Sequence, residues 1–443
     1  MADAWSPTSW RQRPAAQQPV YRDPEALQRV LERLSRLPPL VTSWEVERLR
    51  EQLADAARGE RFLLQGGDCC ERFEECSSET IVSKLKILLQ MSLILVHGCH
   101  RRVIRVGRFG GQYAKPRSNA VETRVGVALP SYRGDLINSP EFEAAAREPD
   151  PERLVRGYGK AAMTLNFIRA LGTGGFADLH HPQQWDLAFA SHSEEEDQYH
   201  DTVSRILAAI RFVETMAGGP IAALGSAEFY TSHEGLHLLY EQAQTRQVPR
   251  RTGWYDLTTH FPWIGDRTRD LEGAHVEYFR GLANPLGVKV GPTMSPEGLV
   301  ALMDRLDPAG EPGRLTLIHR FGVDRIETCL PPLIAAAQRA GRTPLWCCDP
   351  MHGNTEVTEN GYKTRPFDRI LGELELAFAL HRRAGSWLGG VHFELTGENI
   401  TECTGGARGL AAADLAHAYR SQVDPRLNYE QALEMALLIA RRI

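Results

Sequence analysis

Cysteine is too scarce in this chain to staple it together. Eight cysteines in 443 residues (69, 70, 76, 99, 329, 347, 348 and 403) do not make the framework of a disulfide scaffold. Two adjacent pairs, Cys69-Cys70 and Cys347-Cys348, point instead to reduced thiols or metal ligands. Long apolar runs are missing too. The longest, residues 87–96, is interrupted by Gln90 and Ser92 and is too short to cross a bilayer, so no membrane partner is expected. The opening MADAWSPTSWRQRPAAQQP lacks the apolar core of a signal peptide, and a cytoplasmic protein is expected. Neither sign of charge dominates, with 51 basic and 56 acidic residues and a net charge of −5. That balance excludes a globally basic nucleic-acid binder, so any anion site must be local.

Common chemical signatures are absent as well. There is no GxxxxGK[ST] phosphate loop and no GxSxG nucleophile elbow. The cluster Gly172-Thr173-Gly174-Gly175 follows a helical pattern rather than a strand, which makes it a turn and not a dinucleotide fingerprint.

What is present is an ordinary globular composition, 42% hydrophobic and 24% charged, with a repeated unit. Residues 1–60 form an N-terminal extension, polar and proline-rich at first and then helical in pattern over 26–37 and 45–57. From residue 61 onward, short β-rich runs recur: FLLQGGD (62–68), VIRVGR (103–108), IAALGSAEF (221–229) and WYDLTT (254–259). LGVKVG (286–291), LTLIHR (315–320), TPLWCCDP (343–350) and GGVHFEL (389–395) follow. Amphipathic helical stretches such as 296–306, 323–340 and 369–381 lie between them. Eight strands alternating with helices predict a (β/α)8 barrel over 61–443, and barrels of this type tolerate large insertions. One connection, between the second and third strands, is long enough to need helices of its own; the accessory helices are expected around 175–217, with the acidic run 194–197 at the start of one.

Reactive residues fall at the strand ends, where the loops of such a barrel converge. Asp68 and Cys69 end the first strand, Arg108 the second and Glu228 the third; Trp263 and Arg267 follow the fourth, and Lys289 lies in the fifth. Arg320 ends the sixth, His352 follows the seventh, and Glu394 is near the end of the eighth. Cys69, His352, Glu394 and Asp424 together offer a thiolate, an imidazole and two carboxylates. That set suits manganese, cobalt, iron or zinc better than magnesium or calcium. Arg108, Lys115, Arg117, Arg133, Arg267, Lys289 and Arg320 lie at or just after strand ends and point to an anionic substrate, because a charge in an apolar strand is costly without a partner. Small phosphorylated acids or sugars are the substrate class this implies.

A competing motif is His233-Glu234-Gly235-Leu236-His237, an HExxH match on a stretch, 232–244, that reads as a helix. Two histidines one turn apart could hold zinc, with Glu234 as general base. The alternative is a helix start with Ser232 as N-cap. No further ligand follows at metzincin spacing, so the zinc-peptidase reading is the more distant one.

The strings PAAQQP (14–19), LLQGGDC (63–69), GQYAKPRS (111–118), LPSYRGDLIN (129–138), TSHE (231–234) and WIGDRTR (263–269) resemble the type II 3-deoxy-D-arabino-heptulosonate 7-phosphate (DAHP) synthases. So do ANPLGVKVGP (283–292), PGRLTL (312–317), CDPMHGNT (348–355), TGENITEC (396–403) and DPRLN (424–428). The resemblance runs from about residue 14 to the C-terminus. It implies a TIM barrel and a transferase that condenses phosphoenolpyruvate with erythrose 4-phosphate, opening the shikimate pathway of aromatic amino-acid biosynthesis. It also implies a divalent metal (manganese or cobalt, alternatively zinc or iron) on Cys69, His352, Glu394 and Asp424. Arg108, Arg267, Lys289 and Arg320 are the implied phosphoenolpyruvate-binding cations. Lys115, Arg117 and Ser118 fall in the segment that receives erythrose 4-phosphate, with Lys115 the candidate to polarise the aldehyde oxygen. Glu228 is expected to order a cation or water. Asp266 stands beside the phosphoenolpyruvate site where the family usually has glutamate, and His237 is a second departure. The insertion resembles that of feedback-regulated members, so aromatic amino-acid effectors and a homo-oligomer are expected. An amino-DAHP synthase acting on an imino sugar phosphate is the alternative from secondary metabolism.

Overall fold

In the computed structural model, residues 5–176, 178, 181, 185, 194–217 and 228–442 are described. The runs rich in β-branched and aromatic residues pair side by side as parallel strands: β1 (Arg61–Gly67), β2 (Arg102–Arg108), β3 (Tyr230–Glu234), β4 (Phe261–Ile264), β5 (Leu286–Val290), β6 (Leu315–His319), β7 (Leu345–Cys348) and β8 (Leu388–Glu394). Their order closes on itself, β1-β8-β7-β6-β5-β4-β3-β2, and β1 pairs with β8 from Leu63↔Gly390 to Gly67↔Glu394. That is the (β/α)8 barrel expected from the strand count. The ends of β1, β2 and β8 are level, with Gly67 opposite both Arg108 and Glu394, so side chains from three strands meet on one rim. Gly67 has φ +143°, and a Cβ there would lie 2.9 Å from the Arg108 carbonyl oxygen, which fixes glycine at this approach.

Two of the eight strands differ from expectation. The run 221–227 lies outside the described residues, Glu228 and Phe229 are not in a strand, and the third barrel strand is Tyr230–Glu234. The run at 254–259 contributes only Trp254–Asp256, which pairs antiparallel with Thr245–Gln247 in a separate ribbon; the barrel strand is Phe261–Ile264. That strand is four residues long and contains Pro262, which is why its sequence does not advertise itself.

The helices match their patterns more closely. α1 (Pro24–Arg36) and α2 (Ser43–Ala57) form the N-terminal extension, and α2 opens with a Thr42/Glu45 capping box. Leu49, Leu53 and Ala56 of α2 join the interior side chains Leu63, Ile104, Phe261, Ile318 and Leu345 in one apolar cluster, so α2 plugs the N-terminal end of the barrel. The apolar run 87–96 lies in α3 (Ser78–Cys99), a 22-residue helix long and apolar enough to cross a membrane by length and composition, with 67% of its most apolar window buried in the core. The long connection after β2 carries a hairpin (121–130), α4 (Glu152–Thr173) and α5 (Glu194–Ala217), and α5 begins with the acidic run. The rest of the 175–193 stretch is largely outside the described residues. Gly174 caps α4, as a turn cluster should. α6 (Pro296–Leu306), α7 (Ile326–Arg339), α8 (Phe367–Arg383) and α9 (Tyr429–Ala440) complete the outer layer. All eight cysteines are free.

Candidate active site

The C-terminal rim of the barrel opens into a cleft of about 790 Å³ lined by Cys69, Arg108, Lys115, Arg117, Ser118, Glu234, Asp266, Arg267, Lys289, Arg320, His352 and Asp424, among others. At its floor, the barrel interior is polar. Arg108 donates from Nη1 to His392 Nε2 at 2.8 Å, so that imidazole must be neutral with its proton on Nδ1. Nδ1 lies 2.7 Å from Gln65 Oε1, and Gln65 Nε2 donates in turn to Ser232 Oγ at 3.0 Å. Burial, then Lys289 and Arg108, push His392 well below the ordinary imidazole range. The guanidinium of Arg108 also lies over Trp263, 5.2 Å from the ring centroid. His392, Glu394 and the Trp263 ring thus hold the guanidinium in place.

On this floor stands a cluster of metal-binding atom types. One ligand atom each of Cys69, Glu394 and Asp424 lies within 4.8 Å of the other two. His352 Nε2 lies 3.0 Å from Glu394 Oε1, which places the imidazole beside this three-residue cluster. Glu394 Oε1 accepts from Arg108 Nη2 at 2.9 Å and Oε2 from Arg365 Nη1 at 2.6 Å. Burial opposes its charge, but His352, Lys115, Arg365 and Arg108 outweigh that and hold the carboxyl well below its usual range. Lys115 Nζ lies among the same atoms, in contact with Cys69 Sγ and 2.5 Å from Asp424 Oδ2. Burial works against the Lys115 ammonium, while Asp424, Cys69 and Glu394 together raise it above the ordinary lysine range. An ammonium in this place shows that the cluster's field accepts a cation. Burial pushes the Cys69 thiol up to about 12, with Glu394 adding and Lys115 opposing. A metal would therefore have to displace that proton. One thiolate, one imidazole and two carboxylates at this spacing fit a transition metal.

Further charged side chains brace this cluster from behind. Asp349, fully buried, lies with Oδ2 2.7 Å from His352 Nδ1 and also pairs with Lys289 Nζ. Burial, only partly offset by Asp349, lowers Lys289 to about 8. Arg320 donates to the His352 carbonyl at 2.7 Å and to Asp266 Oδ2 at 3.3 Å. Asp266 also accepts from Gly291 N at 3.1 Å and Arg269 Nε at 2.8 Å, so its carboxylate braces cations and backbone. Arg267 reaches across to Ser118 Oγ at 2.8 Å, and Arg117 pairs with Glu122 of the 121–130 hairpin at 3.1 Å. Arg108 Nε and Arg320 Nε, both buried, have no hydrogen-bond partner among the described residues.

A model of the class-II DAHP synthetase family matches residues 5–440. The chain belongs to that family. It is 46% identical over 455 residues to the phospho-2-dehydro-3-deoxyheptonate aldolase of Neurospora crassa, covering 99% of this chain and 94% of the relative. Its similarity to the enzyme of that name from Streptomyces coelicolor is 47% over 433 residues (98% and 96%). To phospho-2-dehydro-3-deoxyheptonate aldolase AroG of Mycolicibacterium smegmatis it is 44% over 436 residues (97% and 93%).

For this class-II chain, two expected site residues lie elsewhere. Glu228 precedes β3 and so sits at the opposite end of the barrel, where it pairs with Arg48 and accepts from Gln52 Nε2 of α2 at 2.7 Å. Misplacing the third strand by a few residues moved its expected position from one rim to the other. Arg133 is turned away to the carbonyl of Gln17, 2.6 Å from Nη2.

The HExxH string is not on a helix. His233 and Glu234 are consecutive in β3 and therefore face opposite sides of the sheet. His233 Nε2 lies 3.0 Å from Glu241 Oε1 in the outer layer, while Glu234 enters the cleft. His237 caps the six-residue helix Leu238–Ala243, with Nε2 2.7 Å from Tyr21 OH. No zinc site forms from the three.

Sequence reasoning missed Arg365 and Glu234 in the cleft lining and Asp349, buried behind His352. Asp349 had a signal, three residues before His352. Glu234 was seen only as a zinc-protease base, yet burial raises its carboxyl to about 7 against the pull of Lys115, Lys289, Arg267 and Arg108. Glu234 Oε1 is a buried acceptor without a donor. Nothing in the sequence around Arg365 marks it.

Proposed function

We propose that the protein is a DAHP synthase, joining phosphoenolpyruvate, erythrose 4-phosphate and water into DAHP and inorganic phosphate. The observation that supports this most directly is the cluster of Cys69, Glu394 and Asp424, with His352 beside Glu394, on the floor of a cleft walled by arginine and lysine. Cys69, His352, Glu394 and Asp424 would hold a divalent metal, which would supply Lewis-acid polarisation of the sugar's aldehyde oxygen.

The chain's own residues do the rest. Arg108, Lys289, Arg320 and Arg267 bind the carboxylate and phosphate of phosphoenolpyruvate, and Asp266 and Asp349 hold two of those cations in place. Arg117 and Ser118 receive the phosphate of the acceptor, and Lys115 donates a hydrogen bond to its aldehyde oxygen. The C2=C3 π pair of phosphoenolpyruvate bonds through C3 to the aldehyde carbon, the aldehyde oxygen takes a proton from the Lys115 ammonium, and water adds at C2; the proton that the hemiketal hydroxyl later gives up restores that ammonium. Glu234, held near neutrality in the cleft wall, takes the proton of that water. The C2–O bond to phosphate then breaks, leaving the ketone and a phosphate that the same arginines stabilise as it departs. Aromatic amino-acid control and a homo-oligomer belong to the same reading, with α4 and α5 as the accessory element. Inhibition by tryptophan, phenylalanine and tyrosine, singly and combined, tests the first, and solution mass the second.

The reaction is tested by following phosphoenolpyruvate loss and phosphate release together in metal-loaded protein. One phosphate per phosphoenolpyruvate, only when erythrose 4-phosphate is present, is the expected result. Turnover with an imino sugar phosphate alone would favour the amino-DAHP alternative.

A further inference from the structure

Residues 14–21 run along the barrel rim outside the cleft lining and tie together loops that form it. Pro14 O accepts from Ala274 N at 3.0 Å. Gln18 bonds twice to the loop after β3, its Nε2 donating to Leu236 O at 2.6 Å and its Oε1 accepting from Leu238 N at 3.0 Å. Gln17 does something different. Its Oε1 accepts from Arg117 N and its Nε2 donates to Arg117 O, both at 3.1 Å. One carboxamide thus satisfies both backbone polar groups of one residue, as a neighbouring strand would. Arg133 fixes Gln17 in turn, donating from Nη2 to its carbonyl at 2.6 Å and to Oε1 at 3.0 Å, while Lys115 N donates to Arg133 O at 2.9 Å. Gln17 has φ +61°, a left-handed conformation that glutamine seldom adopts and that persists where surroundings over-determine it.

We propose that Gln17 is a positioning residue for the acceptor's phosphate group. Its carboxamide clamps the backbone of Arg117 and thereby sets where the 115–118 segment presents the Arg117 guanidinium and the Ser118 hydroxyl to the cleft. The inference rests on the reading that this segment receives a sugar phosphate. It assigns to the N-terminal extension a share of the acceptor subsite that the extension never lines. Loss of the clamp frees two backbone groups to water and loosens the segment, while the arginine and lysine that hold phosphoenolpyruvate on β2, β5 and β6 keep their own partners.

The test uses the full metal-loaded chain with Gln17→Ala and Gln17→Gly, the glycine variant relieving the left-handed backbone while removing the clamp. KM for each substrate, melting temperature and amide exchange over residues 115–118 are measured. Expected are unchanged melting, a KM for erythrose 4-phosphate raised about tenfold, a KM for phosphoenolpyruvate within about twofold, and faster exchange. Unchanged KM values, a parallel rise in both, or unchanged exchange overturns the proposal. A wild type inactive with erythrose 4-phosphate counts against the functional reading instead. The exchange measurement then decides the clamp alone: faster exchange upholds it and unchanged exchange refutes it.

Discussion

Asp349 Oδ2 lies 2.7 Å from His352 Nδ1, and the opposite ring nitrogen lies 3.0 Å from Glu394 Oε1. A carboxylate on one imidazole nitrogen fixes the ring and leaves the other free to act as a ligand. Asp349 is buried and also pairs with Lys289, so one side chain links the His352 imidazole to a cation of the cleft wall. Asp349→Asn keeps the shape and removes the charge. Metal affinity should fall roughly 10- to 100-fold, read by calorimetric titration of the apo protein. An unchanged affinity would mean that His352 needs no such orientation.

Glu234 carries the pH dependence. Its carboxyl titrates near 7 because burial disfavours the anion, and the proposed base must be ionised to work. Activity should therefore fall as pH drops through about 7, with kcat/KM losing tenfold per pH unit below it. Glu234→Gln should cost about 10²- to 10⁴-fold and abolish that acidic limb. A variant that keeps the limb assigns the titration to another group.

Glu228 supplies the contrast. It pairs with Arg48 at the closed end of the barrel, on a half-exposed surface. Glu228→Ala should leave both KM values alone and cost about 0.5 kcal/mol or less in stability, measured by denaturant titration. A selective loss of substrate affinity would contradict the strand assignment.

Arg426 anchors the other side of the Cys69, Glu394 and Asp424 cluster. It bonds to Asp68, the neighbour of Cys69, at 2.9 Å and to Glu402 at 3.0 Å, and lies two residues from Asp424. Arg426→Ala leaves Asp68 and Glu402, both fully buried, short of a counter-charge. The expected cost is about 3–5 kcal/mol, seen as a lower midpoint of unfolding. A midpoint near that of the wild type would show that Lys84, also paired with Asp68, carries the charge unaided.

The sequence pattern reached the barrel and most of the rim because periodic strands and helices leave a strong trace. Helix 296–306 came out with its true ends, since Ser295 caps it and Pro296 opens it. Cys69, His352, Glu394 and Asp424 were legible as neighbours on the rim because each sits in a short motif near a strand end. Phe261–Ile264 was not legible, since a proline in four residues hides a strand, and a separate misplacement of the third strand, Tyr230–Glu234, carried Glu228 to the wrong rim. Arg365 and Gln17 were beyond reach for another reason. Their partners, Glu394 and Arg117, are 29 and 100 residues away, and no local pattern encodes such a pairing.

The most direct test of the account is phosphoenolpyruvate consumption with erythrose 4-phosphate in wild type and Cys69→Ser, first stripped by chelator and then given manganese, cobalt or zinc. The account predicts that stripping abolishes turnover, that metal restores it in the wild type, and that Cys69→Ser recovers little at the same metal concentration. Full activity in stripped protein, or equal recovery by Cys69→Ser, would contradict it.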